Sequence, residues 1–159
     1  MWAPWRMEYI TSQPKENNEC VFCSSPKIKD DSKNHIVYRA KHCYVMLNKY
    51  PYNNGHVMVL PYEHINDILN LSEAVQMECH QVINKTIKAL RKVYNPQGIN
   101  LGMNMGLAAG AGIAEHIHYH ILPRWQGDTN FMPVVAGVKV ISESLDVTYS
   151  KLKQAFKEV

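Results

Sequence analysis

Three histidines alternate with apolar residues in EHIHYHILPRW, the segment from Glu115 to Trp125. Successive side chains of an extended strand point to opposite faces, so His116, His118 and His120 are predicted to share one face. Crowding imidazoles in this way is favourable only where they hold something anionic or metallic. The alternatives at this point are a metal site, a pH switch, a nucleophile with its helpers, or a merely polar strand face.

A second group of candidate metal ligands begins at CVFC, where Cys20 and Cys23 have the C-x-x-C spacing of a structural zinc site. Structural zinc is almost always four-coordinate, so two more ligands are needed. The histidines that can complete the site are His56, His64, His116, His118 and His120. The alternative for CVFC is a pair of free or buried thiols. Cys43 and Cys79 stand alone in apolar segments, and we expect two buried thiols there.

The middle histidine is the candidate nucleophile. A neutral imidazole attacks phosphorus competently when its other ring nitrogen donates to a fixed acceptor, and His118 has a histidine two residues away on each side. The small-residue loop GLAAGAG before it can offer backbone N–H groups to phosphate oxygens. Its Gly pattern matches neither the dinucleotide nor the P-loop fingerprint, and an ordinary flexible turn is the alternative.

Hydrophobic periodicity predicts the elements that position these residues. Strands are predicted over 35–40, 43–48 and 56–61, and an amphipathic helix between Ser72, its N-cap, and Asn95. Period two returns over 98–106, with Ile99, Leu101, Met103 and Met105 predicted to face the core and the Asn and Gly residues between them to line a ligand. A closing helix is predicted over 146–158, with Val147, Leu152 and Phe156 as anchors.

These elements predict an α+β fold, a mainly antiparallel sheet of about five strands with one long helix and a C-terminal helix. We expect a single domain over 1–159, with an irregular N-terminal arm of about residues 1–34 that carries the Cys pair. The chain has 46% hydrophobic and 19% charged residues and a net charge of +3, without a basic stripe, so no nucleic-acid partner is expected. No leader or membrane-spanning run is apparent, and a cytoplasmic location is expected.

The segment HIHYHIL, residues 116–122, resembles the motif His-φ-His-φ-His-φ-φ of the histidine-triad (HIT) family of nucleotidyl hydrolases and transferases. NKYPYNNGHVMVLPYEH, residues 48–64, is similar to the ribose-binding and Gly-His strands of that family. WAPWRMEYI and PRWQGDTNFMP resemble its diadenosine tetraphosphate phosphorylase-like branch. The resemblance implies a HIT-like fold and an enzyme that acts on the α-phosphate of adenine nucleotides, such as diadenosine polyphosphates, through a covalent nucleotidyl-histidine intermediate.

The resemblance also implies a role for individual residues. His118 would be the nucleophile, with its Nδ1–H held by a main-chain carbonyl, that of His116. His120 and His56 would donate to phosphate oxygens. The nucleotide would further be held by Asn48 at the ribose, and by Asn104 and the backbone of Ala111, Gly112, Ile113 and Ala114 at the phosphate.

In zinc-bearing relatives the metal ligands correspond to Cys20, Cys23, His64 and His116 of this chain. The resemblance therefore implies structural zinc and no organic cofactor. A zinc-bound His116 would be unable to serve as the acid for the leaving group. The segment AGAGIAEH also lacks the Gln that many family hydrolases carry before the triad.

Family members dimerise, which implies a homodimer or higher homo-oligomer here. The apolar segment Trp2-Ala3-Pro4-Trp5 is a candidate for packing across subunits or for covering the core within one chain. The main alternative to an enzyme is a non-catalytic, zinc-stabilised nucleotide-binding or scaffold module. Loss of turnover on substitution of His118, with the fold retained, separates the two.

Overall fold

The computed structural model describes residues 19–128 and 141–159. The apolar segment at residues 2–5 and the part of PRWQGDTNFMP from residue 129 onward lie outside the described residues. The arm that carries the Cys pair is described from Glu19 onward. No helix among residues 19–128 and 141–159 is long and apolar enough to cross a membrane.

A five-stranded antiparallel sheet forms the centre of the described residues, with the strand order β1-β2-β3-β5-β4. The strands are β1 (Ile36–Arg39), β2 (Cys43–Leu47), β3 (Val57–Pro61), β4 (Gly98–Met103) and β5 (Tyr119–Arg124). β2 and β3 are buried along their whole length, as expected for central strands rich in β-branched and aromatic residues. β4 lies at one edge.

Three α-helices accompany the sheet in the described ranges: α1 (Val21–Ser24), α2 (Glu73–Tyr94) and α3 (Leu145–Ala155). The Ser72 hydroxyl caps α2 by accepting a hydrogen bond from the backbone N–H of Val75 at 3.4 Å. Asn95 ends the helix in the left-handed conformation, at φ 42°. Single 3₁₀ turns occur at Ser25–Lys27, Ile68–Asn70 and Leu107–Ala109.

The two faces of the sheet bury different clusters. Under α2 and α3 lies the larger cluster, to which β2 contributes Cys43, Val45 and Leu47. The opposite face carries a smaller cluster formed by Phe22, Ile36, Tyr44, Met46, Met58 and Leu60. Strand alternation thus separates a helix-covered core from a face that the N-terminal arm covers. The histidines of the triad lie on the arm's side.

The predicted α+β fold is confirmed, as are the buried thiols of Cys43 and Cys79. The predicted core face of β4 is wrong in part, because on this edge strand Leu101 and the following Met105 are about half exposed, at 50% and 49%. Val147 is also exposed at 45% instead of anchoring α3; Thr148 is buried in its place and bonds Glu143 at 2.8 Å.

The histidine segment pairs as a strand later than predicted. β5 begins at Tyr119, so His120 lies in the sheet while His116 and His118 precede it. The backbone N–H of Ile117 donates to the carbonyl of Ile65 at 2.7 Å, which draws this stretch toward the segment after β3. The predicted alternation survives, because Ile117, Tyr119 and Ile121 all belong to the larger cluster on the far face.

Candidate metal centre and nucleotide site

Two sulfurs and two imidazole nitrogens meet at the surface edge of the arm. The ligand atoms of Cys20, Cys23, His64 and His116 all lie within 4.8 Å of one another. Cys23 Sγ is 3.3 Å from His64 Nδ1 and 3.5 Å from His116 Nδ1, and Cys20 Sγ is 3.6 Å from His116 Nδ1. Tetrahedral zinc with ordinary bond lengths separates its ligand atoms by about 3.3–3.8 Å. The donor set and its spacing therefore fit zinc.

His116 offers the correct nitrogen to this cluster. Its Nε2 lies 2.9 Å from the carbonyl oxygen of Pro61, and because a carbonyl only accepts, Nε2 carries the hydrogen. Nδ1 is then the unprotonated nitrogen, and it faces the two sulfurs. A histidine ligand whose other nitrogen donates to a carbonyl is the usual outer-shell arrangement of a metal site.

Burial favours the neutral forms of two groups in this cluster. Burial and the neighbouring Cys20 raise the pKa of the Cys23 thiol. Burial, together with the adjacent His64 and His118 rings, lowers the pKa of His116 and keeps it neutral. A bound divalent cation reverses the first effect, because a coordinating thiol is deprotonated.

The second histidine of the triad has the opposite tautomer. Its Nδ1 lies 2.9 Å from the carbonyl oxygen of His116, so Nδ1 carries the hydrogen, as the family resemblance implies, and Nε2 keeps its lone pair. His118 is 4% exposed, and burial lowers its pKa although the hydrogen bond to the carbonyl opposes this. The arrangement presents an unprotonated imidazole nitrogen, the state that a nucleophile needs.

The third histidine pairs with His56 at the start of β3. His56 Nε2 is 2.9 Å from His120 Nδ1, and the two rings are 1% and 8% exposed. The backbone N–H of Tyr52 donates to His56 Nδ1 at 3.1 Å, and the Tyr52 ring lies against both imidazoles. His118 and His120 are in ring contact, with centroids 4.7 Å apart.

Phe22 lies between the two groups of histidines. It occupies the second x-position in the C-x-x-C motif and is 6% exposed, and its carbonyl accepts a hydrogen bond from Tyr44 Oη at 2.6 Å. Its ring centroid is 5.6 Å from that of His116, edge-on, and 4.9 Å from that of His118. One aromatic side chain therefore contacts both a candidate metal ligand and the candidate nucleophile.

The remaining predicted nucleotide contacts lie after β2, after β4 and in the loop before the triad. The side-chain amide of Asn48 is 3.4 Å from His56 Nδ1, and its Oδ1 accepts from the backbone N–H of Tyr50. Asn104 is half-buried just after β4. In the loop 111–114, Ala111 is buried, Gly112 is exposed, and Ile113 packs on the cluster that contains Phe22.

The structure thus brings together the four predicted metal ligands and, beside them, the three predicted catalytic histidines. Sequence reasoning missed Phe22 and Tyr52. Phe22 is an apolar residue between two cysteines, and its type alone does not distinguish a site residue from core. Tyr52 acts through its backbone N–H, which no side-chain pattern reveals.

The fold and the alternating tautomers of the triad define a histidine-triad protein. The sequence matches the HIT domain family over residues 29–127, so the chain belongs to the HIT family, and the resemblance at HIHYHIL is confirmed.

Individual relatives narrow the comparison. The chain is similar to an AP-4-A phosphorylase of Mycobacterium tuberculosis, with 37% identity over 152 residues that cover 91% of this chain and 77% of that protein. A Zn-bound histidine triad family protein from Mycobacterium smegmatis superposes with a TM-score of 0.70 at 23% identity, covering 88% and 94% of the two chains. A hypothetical histidine triad nucleotide-binding protein from Sulfolobus tokodaii also gives 0.70, at 24% identity and 87% and 93% coverage. At these identities the two structures show a common fold.

Proposed function

We propose that the protein is a nucleotidyl hydrolase or transferase that acts on the α-phosphate of adenine nucleotides such as diadenosine polyphosphates. The observation that carries the proposal is the 2.9 Å hydrogen bond from His118 Nδ1 to the carbonyl of His116, which leaves Nε2 unprotonated in a buried site. The similarity to an AP-4-A phosphorylase supports the substrate class.

The reaction proceeds in two displacements. The Nε2 lone pair of His118 forms a bond to the α-phosphorus, and the bond from phosphorus to the bridging oxygen breaks with its electron pair on that oxygen. Water or phosphate then attacks the nucleotidyl-histidine, the phosphorus–nitrogen bond breaks, and its electron pair returns to Nε2. When the acceptor is water, its proton is released to solvent. Covalent catalysis divides one difficult transfer into two easier ones.

Residues around His118 hold the nucleotide. We assign Asn48 to the ribose hydroxyls, because its side-chain amide lies 3.4 Å from Nδ1 of His56, next to the same group of histidines. We assign the phosphate to the Nε2–H of His120, to Asn104, and to the backbone of the loop 111–114. That loop packs on the cluster containing Phe22, on the face of the sheet that carries His118.

A structural zinc held by Cys20, Cys23, His64 and His116 belongs to the proposal, since the donor atoms of these residues converge with suitable spacing. When bound, the ion would cross-link three segments of the chain: the arm, the segment after β3 and the start of the triad. Those three segments are far apart in sequence, so such a link fixes the carbonyl of His116 on which His118 depends.

We further propose a homodimer that forms through the β4 edge. Leu101 is 50% exposed in that strand, and Met105 and Leu107 just beyond it are 49% and 78% exposed. An edge strand with exposed apolar side chains is a template for pairing with a second copy. Leu101→Lys should convert the dimer to a monomer in sedimentation equilibrium. If the variant keeps the mass of a dimer, the interface lies elsewhere. If wild type already has the mass of a monomer, the proposed homodimer is wrong.

The experiment that tests the activity incubates the protein with diadenosine tetraphosphate, with and without phosphate. ADP plus ATP indicates phosphorolysis, and AMP plus ATP indicates asymmetric hydrolysis. His118→Ala should reduce turnover by at least about 10³-fold, as loss of a nucleophile does. His80→Gln is the matched control, because His80 is an exposed residue of α2, which covers the face of the sheet opposite to His118.

The same experiment separates an enzyme from a binding module. If His118→Ala and wild type both bind the nucleotide and neither releases AMP, ADP or ATP, the protein is a non-catalytic nucleotide-binding module. Thermal melting of both variants confirms that the fold is retained in the comparison.

A further inference from the structure

Two neighbouring strands of the sheet hold the arm that carries the Cys pair. Arg39 in β1 and Tyr44 in β2 are directly opposed in the antiparallel register, so their side chains project from the same face. Tyr44 Oη donates to the carbonyl of Phe22 at 2.6 Å. The Arg39 guanidinium donates to the carbonyls of Pro26 at 2.9 Å and Ile28 at 3.3 Å. We name these two side chains the carbonyl clamp, because they hold backbone carbonyls in and just after the C-x-x-C motif.

The carbonyl of Phe22 lacks the usual donor of a helix. An α-helical carbonyl accepts from the N–H four residues later, which here is Pro26, and proline has no N–H. The N–H of Ser25 is already bonded to the carbonyl of Val21. A buried carbonyl without a donor is costly, and the hydroxyl of the fully buried Tyr44 supplies the missing hydrogen bond. Tyr44 therefore fixes the conformation of the C-x-x-C turn.

The Arg39 side chain is itself held in one orientation. Asp31 Oδ1 accepts from Arg39 Nε at 2.9 Å and lies 2.8 Å from its Nη2, which directs Nη1 to the carbonyl of Pro26. The other oxygen of Asp31 accepts from Lys153 of α3 at 2.8 Å, and Lys153 also donates to the carbonyl of Ile36. The planar guanidinium bonds a carboxylate and two carbonyls at once, which a lysine ammonium in its place would not match.

We infer that Arg39 and Tyr44 are positioning residues of the metal centre, which order the C-x-x-C turn before the ion binds. The inference rests on the zinc site proposed above and deepens it, because it makes zinc affinity depend on two side chains that supply no ligand. Ordering a segment in advance lowers the entropy cost of the binding step. The clamp holds the backbone of the arm, so bound zinc is still required to join the four ligand side chains.

A purely stabilising role for the clamp leads to a different expectation. If the clamp only stabilised the fold, its removal would lower the free energy of unfolding equally with and without zinc, and the Kd for zinc would not change. If the clamp orders the arm for the ion, its removal raises the Kd. The Kd for zinc is therefore the measurement that separates the two roles.

The first test removes a single oxygen atom. Tyr44→Phe deletes the hydroxyl and keeps the ring that stacks on Tyr62. Competition between the protein and a chromogenic chelator for added zinc measures the Kd, and we expect zinc to bind about tenfold more weakly, the lower range for loss of an outer-shell partner. Tyr38→Phe is the matched control, because it deletes the same atom on the other face of β1, where Tyr38 stacks on Phe156. A Tyr44→Phe protein with the Kd of wild type would overturn the inference.

The second test separates the charge of Arg39 from its geometry. Arg39→Lys keeps a positive charge beside Asp31 but loses the fork that reaches the carbonyls of Pro26 and Ile28. We expect zinc binding to weaken by about tenfold here as well. A wild-type Kd in Arg39→Lys would show that the charge alone matters and would contradict the role of Arg39 in the clamp.

A rescue experiment tests whether the lost hydrogen bond is the cause. Ser24 and Ser25 have α-helical backbone angles, so an N–H at position 26 would continue the helix toward the carbonyl of Phe22. Adding Pro26→Ala to Tyr44→Phe should therefore recover most of the lost zinc affinity. No recovery in the double variant would show that the missing bond to Phe22 is not the cause.

Hydrogen exchange of the metal-free protein tests the order of the arm without any ion. The N–H groups of Cys23 and Ser24 donate to the carbonyl of Cys20 at 2.9 and 3.0 Å. In Tyr44→Phe they should exchange about tenfold faster than in wild type, while the amides of α2 keep their rates. Unchanged exchange at Cys23 and Ser24 would contradict the inference. If wild type binds no zinc, the proposed zinc site fails, and the exchange rates still decide whether the clamp orders the arm.

Discussion

The first and second histidines of the triad use the same side chain in opposite ways. At His116 the hydrogen is on Nε2, bonded to Pro61, and Nδ1 faces two sulfurs. At His118 the hydrogen is on Nδ1, bonded to the carbonyl of His116, and Nε2 has the lone pair. The first arrangement suits a metal and the second suits phosphorus. The difference shows that the nearest carbonyl, more than the residue type, decides what a histidine does.

The two clusters also differ in what holds them together. The metal-type cluster consists of Cys20, Cys23, His64 and His116. It joins three chain segments that are remote in sequence, and its His64 is exposed. The second cluster, named the phosphate-side cluster for its proposed role, consists of His56, His118 and His120. It is buried, and it is held by a backbone N–H before β3 and by contacts between the rings. We therefore expect the first cluster to depend on a bound ion and the second to depend on the sheet.

The largest effect is expected from breaking the metal-type cluster. Cys23 Sγ lies next to both histidine nitrogens, so Cys23→Ser should abolish tight zinc binding. An ion present at 1,000 times its Kd stabilises a protein by about 4 kcal/mol, and this stabilisation should disappear. Thermal melting with and without zinc measures it. Cys43→Ala, in the helix-side core, is the control and should keep the zinc-dependent shift; a shift in Cys23→Ser equal to that of wild type would contradict the assignment.

Phe22 is the residue through which the two clusters should be coupled. Phe22→Ala removes a buried ring that contacts both His116 and His118, and a Phe→Ala change in a core destabilises by about 3–5 kcal/mol. We expect weaker zinc binding and lower kcat together. Isothermal titration with zinc and the cleavage of diadenosine tetraphosphate measure the two quantities. Phe22→Leu keeps most of the apolar volume and should be milder. A stability loss with unchanged zinc affinity and kcat would reduce Phe22 to a core residue.

Much of the fold follows from local pattern. The period of α2 and its Ser72 cap were predictable because an amphipathic stripe repeats over 22 residues. The strand burial of β2 and β3 was predictable for a similar reason. The exposed side of Leu101 was not, since alternation identifies a face but not whether anything covers it. Being at the sheet edge is a property of the strand order.

The candidate site, like the fold, could be predicted from the sequence only in part. The C-x-x-C spacing and the triad indicated a metal and a nucleophile, but not which histidines belong together. His64 was assigned through the family resemblance, because its proximity to Cys23 arises only in the tertiary structure. The tautomers depend on the carbonyls of Pro61 and His116 and on the N–H of Tyr52. Backbone groups have the same chemistry at every residue, so sequence carries no mark of them.

A change beside His56 should affect the phosphate side alone. Gly55 has φ +70°, and a Cβ there would lie 2.9 Å from Tyr94 Cε2. Gly55→Ala should destabilise by about 1–2 kcal/mol from the left-handed backbone, with the contact adding to this, and should lower kcat by displacing His56. Zinc affinity should be unchanged. Gly98→Ala, whose Cβ would have an ordinary 3.8 Å contact, is the control. A Gly55→Ala protein with reduced zinc affinity would show that the clusters are not separable.

The smallest effect is expected at Asp128, which contacts neither cluster. Hydrogen bonds from Arg124 hold the pKa of this carboxyl at about 2, below the usual value of about 3.9. The charged form is therefore favoured by folding. Its stabilisation is complete above about pH 5 and is lost as the pH falls through the range from about 4 to 2.

In Asp128→Asn, the free energy of unfolding should accordingly fall less steeply as the pH is lowered from about 4 to 2. The loss at neutral pH should be below about 1 kcal/mol, because Arg124 is 41% exposed and the pair is screened by solvent. Urea unfolding at several pH values measures the change, with Asp30→Asn, at an exposed site on the arm, as the comparison. Asp128 also accepts a hydrogen bond from Asn53, in the turn before His56. A fall in kcat in Asp128→Asn would therefore show that the phosphate-side cluster depends on this ion pair. Zinc affinity should stay constant in either case.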